Sequence, residues 1–202
     1  IASRVRIEDA YPVDKDKLKV EERNGVAIDR VFGSVAVGPF DYQVCTAGDF
    51  RTKLHLKNFT LAQLGLIGLV LRDLKEGWFG LGFAKSRGMG SVSVGLQSAV
   101  VQYPGCIVDP ETKQIRCLRS SQTWAPTTLL GASQFFNVEH EVQRQEKASY
   151  GYDKVEDDIQ TELPVSAEEM ELGFGVQLTW TGQTEVESLF TRAVRSWSKV
   201  AV

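Results

Sequence analysis

Apolar and polar residues alternate with a period of two in several short segments of the chain, and each such segment predicts a strand with one face toward a core. Residues 4–10 alternate Arg4, Arg6 and Glu8 with Val5 and Ile7. RTKLHLKNF places Leu54 and Leu56 on one face and Lys53, His55 and Lys57 on the other. SVSVGLQSAVVQY sets Val92, Val94 and Leu96 against Ser91 and Ser93, and ELGFGVQLTW repeats Phe174, Val176, Leu178 and Trp180. Two other segments follow the helical period. TLAQLGLIGLVLRDLKEG opens with Thr60 and Gln63 in capping-box spacing and ends on Gly77, which suits a helix stop. It is apolar nearly all round from Leu64 to Leu71, so it is expected to be buried on most of its surface. The last helix, TEVESLFTRAVRSWSKV, aligns Val186, Leu189, Phe190, Ala193, Val194, Trp197 and Val200 on a core-facing stripe.

Strand, buried helix, loop and strand in that order predict a β-α-β unit with a right-handed crossover. Ahead of it, Tyr11–Asn24 reads as a charged connection broken at Pro12. The segment GVAIDRVFGSVAVGPFDYQVCTAGDF, punctuated by Gly25, Gly33, Gly38 and Gly48, reads as an extended hairpin projecting from a body. Val35, Val37, Phe40 and Tyr42 have no obvious partner within it, and either fold back on a core or touch another molecule. Beyond Tyr103 the pattern loosens: CIVDPETKQIRCL predicts a hairpin, TWAPTTLLGASQFF a loop or short helix, and Asn137–Ser149 an exposed helix or arm. The expected class is α+β.

Composition narrows the function. The 202 residues, 43% apolar, can bury a sizeable core, and the longest apolar run, Leu64–Leu71, is far shorter than a membrane span. Neither a signal peptide nor a membrane segment is visible, so the expected setting is cytoplasmic, and the methionine-free opening inside a strand suggests sequence upstream. Cys45, Cys106 and Cys117 form no C-x-x-C pair, and with His55 and His140 far apart a zinc site is not expected. Cys106 and Cys117 flank VDPETKQI and could face each other across a hairpin, as free thiols. Net charge is −3, with base concentrated early and acid late, in KVEDDIQTE and SAEEMELG, which leaves room for a basic face in the first half. His55, on a polar strand face, reads as solvated or partner-facing rather than as a catalytic base.

The chemistry concentrates in GWFGLGFAKSRGMGSVSV. It is not a dinucleotide fingerprint, because Lys85 stands where the third glycine belongs and a helix precedes the loop instead of following it. Nor is it a P-loop, since Lys85-Ser86 lacks the glycine before the lysine. Backbone N–H groups freed by glycines, beside Lys85, Ser86 and Arg87, suit the sugar–phosphate backbone of a longer polyanion.

GLGFAKSRGMG after a capped apolar helix, with SRVRIEDAYPV and GVAIDRVFGSVAVGPFDYQ ahead of it, closely resembles the RAMP superfamily of CRISPR effector subunits over about Ser3–Val101. The backbone subunits of type III complexes are the most similar group. The resemblance implies a modified RRM-like, ferredoxin-type RAMP fold of which residues 1–103 are the C-terminal part, with a projecting thumb at about residues 25–50 and a glycine-rich loop at 77–90. Residues 104–202 then form a subunit-specific extension. It further implies binding of guide RNA by Lys85, Ser86, Arg87, Gly88 and Gly90, with Arg30 on the run into the thumb. Val35, Val37, Phe40 and Tyr42 would be the thumb's apolar contacts with a guide–target RNA duplex.

The other implied partners are target RNA and other CRISPR effector subunits or fused RAMP domains. The family's first β-α half, with its target-cleaving aspartate, lies ahead of the strand that SRVRIEDA resembles. No catalytic residue is therefore assigned, and Asp9, Asp29, Asp41 and Asp49 read as structural or capping carboxylates. No cofactor is expected in this chain, although a divalent metal such as Mg is compatible with the complex. Two other functions compete: a stand-alone metal-dependent or histidine-based guide-processing ribonuclease, for which His55 and His140 are the candidates, and an assembly module that touches only protein.

Overall fold

A computed structural model describes residues 3–120, 122–137, 139–152, 157–161 and 167–199, and the chain divides into two compact units, residues 1–57 and 58–202.

The first unit is an antiparallel ribbon. Its strands are β1 (Val5–Ile7), β2 (Tyr11–Pro12), β3 (Lys19–Ile28), β4 (Val35–Ala47), β5 (Phe50–Arg51) and β6 (Leu54–Leu56). β1 pairs with β6, β2 with β5 and β3 with β4, so the ribbon runs outward from Val5↔Leu56 to Ile28↔Val35. The segment expected to be a charged connection instead holds β2, a single turn at Lys15–Lys17 and the start of β3. Asp14 caps that turn by accepting the Asp16 N–H at 2.9 Å. No described residue of this unit is fully buried, so cross-strand pairing replaces a core. Gly25 faces Phe40 in register, and a Cβ on Gly25 would lie 2.8 Å from the Phe40 ring. The ring therefore lies over the glycine, its centroid 6.2 Å from that of Tyr42.

In the second unit α1 (Leu61–Lys75) is followed by a long loop, then β7 (Ser98–Tyr103), β8 (Cys106–Val108), β9 (Ile115–Cys117), β10 (Thr123–Trp124), β11 (Thr128–Leu130), α2 (Glu141–Ser149), β12 (Asp158–Gln160), β13 (Ala167–Glu169), β14 (Val176–Thr181) and α3 (Gly182–Arg195). The sheet orders are β13-β14-β7, β10-β9-β8 and β11-β12, and all pairings are antiparallel. The fold is α+β, as the hydrophobic pattern predicts. Its core gathers Leu61, Val101, Tyr103, Ile115, Trp124, Leu129, Val176, Leu178, Trp180, Val186 and Leu189. Full burial of such side chains is worth roughly 1.5–3 kcal/mol each. Tyr103 Oη both donates to the Leu130 carbonyl at 2.9 Å and accepts the Leu130 N–H at 3.0 Å, which satisfies its hydroxyl inside that core.

Several expectations are corrected. The strand expected from Ser91 begins only at Ser98, and it pairs with β14, while β6 pairs with β1; the β-α-β unit is not formed. Residues 91–97 are coil although Val92, Val94 and Leu96 keep the alternation, and Gly95 among them weakens strand formation. α1 has the expected capping box, with Thr60 Oγ1 accepting the Gln63 N–H. However, Leu66 and Val70 are exposed and only Leu61, Ala62 and Gly65 are fully buried. One face is packed because Gly65 and Gly68 let α3 approach closely: a Cβ on Gly65 would lie 2.7 Å from the Ala193 carbonyl oxygen. Phe174 lies before β14 and is exposed, since the chain turns at Gly175 (φ 110°). On α3 the stripe buries Val186, Leu189 and Ala193, whereas Trp197 lies past the helix end and is exposed; Val200 is outside the described residues, as are parts of the acidic segments.

Candidate functional site

The loop after α1 is set up by the helix stop. Gly77, at φ 79°, donates to the Leu74 carbonyl at 3.2 Å while the Trp78 N–H donates to the Asp73 carbonyl at 2.9 Å, a Schellman ending. The chain then closes on itself where the Leu81 N–H donates to the Gly90 carbonyl at 2.9 Å. Glycine is required at this mouth: Gly90 has φ 85°, and a Cβ there would fall 2.0 Å from the Leu81 carbonyl oxygen.

Inside the closed loop, Lys85–Arg87 form one helical turn bounded by two left-handed residues, Ala84 (φ 56°) and Gly88 (φ 79°). The Arg87 N–H donates to the Ala84 carbonyl at 2.9 Å and the Gly88 N–H to the Lys85 carbonyl at 3.1 Å. The backbone beneath the two cations is thereby fixed. Lys85, Ser86 and Arg87 are exposed, and among the described residues neither cation pairs with a carboxylate. Five of the sequence-selected residues, Lys85, Ser86, Arg87, Gly88 and Gly90, therefore share one small loop, with two positive charges free to meet phosphates.

Two exposed aromatics there are invisible to a search for charge and glycine. Phe83 is 77% exposed next to the left-handed Ala84, and Trp78, equally exposed, donates its Nε1–H to Glu76 Oε2 at 2.9 Å. The available signal is their position, since an aromatic inside a glycine-rich loop has little core to enter.

In the first unit the remaining candidates lie along the β3–β4 hairpin. Its tip is Asp29–Ser34, closed by the Asp29 N–H donating to the Ser34 carbonyl at 2.8 Å. Asp29 Oδ1 accepts the Val31 and Phe32 N–H groups at 2.7 and 2.8 Å, and Gly33 takes φ 65°. The N–H of Phe32, then that of Val31, hold the Asp29 carboxyl below its usual range. This turn presents Arg30, Val31 and Phe32 outward, Phe32 being 84% exposed. Asp followed four residues later by Gly was a legible turn signal. Val35 and Val37 are exposed on the hairpin shaft, while Phe40 is 38% exposed over Gly25 and Tyr42 is half-buried.

His55 Nε2 lies 2.7 Å from Glu8 Oε1, and that hydrogen bond holds the Glu8 carboxyl below its ordinary range. His140 stands at the N-terminus of α2 without a side-chain cap bond. Asp29 is occupied in its turn, and the Asp49 carbonyl accepts the Val13 N–H at 2.8 Å. Among the described residues no group of three or more His, Cys, Asp or Glu side chains could hold a metal ion. No described helix is long and apolar enough to cross a membrane.

Residues 1–93 match the model of the RAMP superfamily. That similarity covers 93 of the 202 residues. The match takes in the ribbon, α1 and the whole glycine-rich loop and ends in the coil ahead of β7. RAMP domains have a ferredoxin-like fold, bind RNA and work in CRISPR complexes, so the segment implies a CRISPR-associated, RNA-binding function. No curated protein matches the chain.

Proposed function

We propose that this protein is an RNA-binding backbone subunit of a type III CRISPR effector complex, holding guide RNA and the guide–target duplex while the complex cleaves target RNA. The observation that carries the reading is the loop closed at Leu81 and Gly90, which offers exposed Lys85 and Arg87 on a fixed turn. A guide read by base pairing needs its protein to hold phosphates and leave base edges free, and two cations with glycine N–H groups suit that task. Phe83 adds a ring on which a base can stack, and the hairpin tip at Arg30–Phe32 adds a third exposed cation with apolar neighbours. The expected partners are guide RNA, target RNA and other effector subunits or fused RAMP domains in the cytoplasm. No residue of this chain is assigned to cleavage, and any divalent metal such as Mg belongs to the assembled complex.

Ultraviolet crosslinking of the full chain to a guide-length RNA tests the reading: crosslinked peptides should contain residues 78–90 and 30–37. Crosslinks confined to other segments, or none, would remove it. The competing histidine-based ribonuclease rests on the close Glu8–His55 pair. If the RNA-binding reading holds, His55→Ala with His140→Ala leaves RNA handling unchanged; loss of RNA cleavage in that variant would favour the nuclease.

A further inference from the structure

The β8–β9 hairpin sets Cys106 opposite Cys117. The hydrogen bonds on either side tell which kind of rung this is. The Asp109 N–H donates to the Gln114 carbonyl at 2.8 Å, and the Leu118 N–H donates to the Gly105 carbonyl at 3.0 Å. Those rungs are hydrogen-bonded. Since the two kinds alternate along an antiparallel ladder, Cys106 and Cys117 fall on a non-hydrogen-bonded rung. In agreement, the Cys117 N–H points away from Cys106 and donates to the Gln122 carbonyl at 3.0 Å. Cα atoms on such a rung lie about 4.5 Å apart, with their side chains at closest approach, and a disulfide spans roughly 4.4–6.8 Å.

The two sulfurs already interact as free thiols, yet their surroundings differ. Burial, with Cys117 beside it, pushes the Cys106 thiol up to about 12. Burial also opposes ionisation of Cys117, but the Ser120 hydroxyl, the Arg119 and Ser120 N–H groups and the Cys106 thiol outweigh it and bring Cys117 below its usual value. Both thiols are buried, but Cys117, 8% exposed at the end of β9, is more accessible than Cys106, 2% exposed, so an oxidant entering from solvent meets Cys117 first.

We propose that Cys106 and Cys117 form a redox site in which a peroxide oxidises Cys117 and Cys106 closes the product to a disulfide across the β8–β9 hairpin. The Cys117 thiolate attacks one peroxide oxygen, the O–O bond breaks, and the other oxygen leaves as an alcohol or water after taking a proton. Cys117 is then a sulfenic acid. The Cys106 sulfur attacks the Cys117 sulfur, and its proton leaves with the hydroxide as water. Two thiols and one peroxide yield one disulfide, one alcohol or water and one water.

The test uses the full chain with Cys45→Ser, which removes the exposed third thiol. The folded protein is treated with hydrogen peroxide, denatured and alkylated, then analysed by intact mass and peptide mapping. The expected result is loss of two alkylatable thiols together, a peptide pair linked through Cys106 and Cys117, and recovery with dithiothreitol. In Cys106→Ser, dimedone should instead trap a sulfenic acid on Cys117. Should that variant not fold, phenylarsine oxide added to the Cys45→Ser chain should protect both remaining thiols from alkylation. The proposal is overturned if both thiols stay alkylatable under peroxide that fully oxidises Cys45 in the native sequence, or if the link forms only in urea.

Discussion

The carboxylate of Asp157 caps α1 from far along the chain: Oδ1 accepts the Leu61 N–H at 2.6 Å and Oδ2 accepts the Ser133 N–H at 3.0 Å, with Asp157 fully buried. A glycine must stand beside it, because a Cβ on Gly131 would lie 2.1 Å from the carboxylate. Bonds from backbone N–H to a charged acceptor are worth about 1.5–3 kcal/mol, and buried orphan donors cost more than exposed ones. Asp157→Ala should therefore lower stability by about 2–4 kcal/mol in urea denaturation followed by helical signal. A loss below about 0.5 kcal/mol, the range of an ordinary surface substitution, would show that the bridge does not hold the helix end.

Gly65→Ala should destabilise the protein although alanine is the better helix former by about 1 kcal/mol. The new methyl would meet the α3 backbone at Ala193 and Val194, which cannot swing away. At Gly68 the obstacle is the Phe190 side chain, so Gly68→Ala should cost less. Overpacking of this kind costs about 1–3 kcal/mol, read as a fall in thermal midpoint; a rise for Gly65→Ala would mean that the helices are not in close packing.

Phe40→Ala and Val37→Ala should separate structure from recognition in the hairpin. Phe40 covers Gly25 and packs near Tyr42; removing it should cost roughly 1 kcal/mol of cross-strand stabilisation and speed proteolysis of the hairpin. Val37, 60% exposed, should leave proteolysis unchanged. Equal effects would place both side chains in the same environment, against the structure.

The hairpin tip should loosen in acid. Asp29 has its carboxyl lowered by the turn it caps, so the turn is more stable with Asp29 ionised. That contribution is complete above the unfolded value and fades as pH falls through the lower folded one. Amide exchange at Val31 and Phe32 should accelerate across that window and become pH-insensitive, beyond intrinsic chemistry, in Asp29→Ala. Unchanged protection in the variant would contradict the Asp29 cap.

Much of this architecture is legible in the sequence. Thr60, Gln63 and Gly77 are local signals acting within one turn, and the helix they predict is present with those caps. The Cys106–Cys117 hairpin was likewise legible, because its turn, VDPETKQI, is short. Long-range choices were hidden. Nothing near Leu61 announces that Asp157 will cap it, and nothing in alternating Val92 and Val94 says that pairing waits for Ser98. The apolar circumference of α1 suggested burial on all sides, whereas glycines on one face decided which side packs. For the candidate site, charge and glycine pointed to Lys85–Gly90, but the exposed ring of Phe83 sits beside a left-handed alanine, Ala84, that the sequence pattern does not display.

The salt dependence of RNA binding tests the central claim most directly. Affinity of the full chain for a guide-length single-stranded RNA is measured over a series of salt concentrations, for the native sequence and for Lys85→Ala with Arg87→Ala. Each phosphate contact on a single strand contributes about 0.7 to the slope of log affinity against log salt. If the loop grips the RNA backbone through both cations, the variant should bind more weakly for every RNA sequence tried, and its slope should fall by about 1.4. An unchanged slope, or a loss that depends on RNA sequence, would contradict backbone binding by this loop.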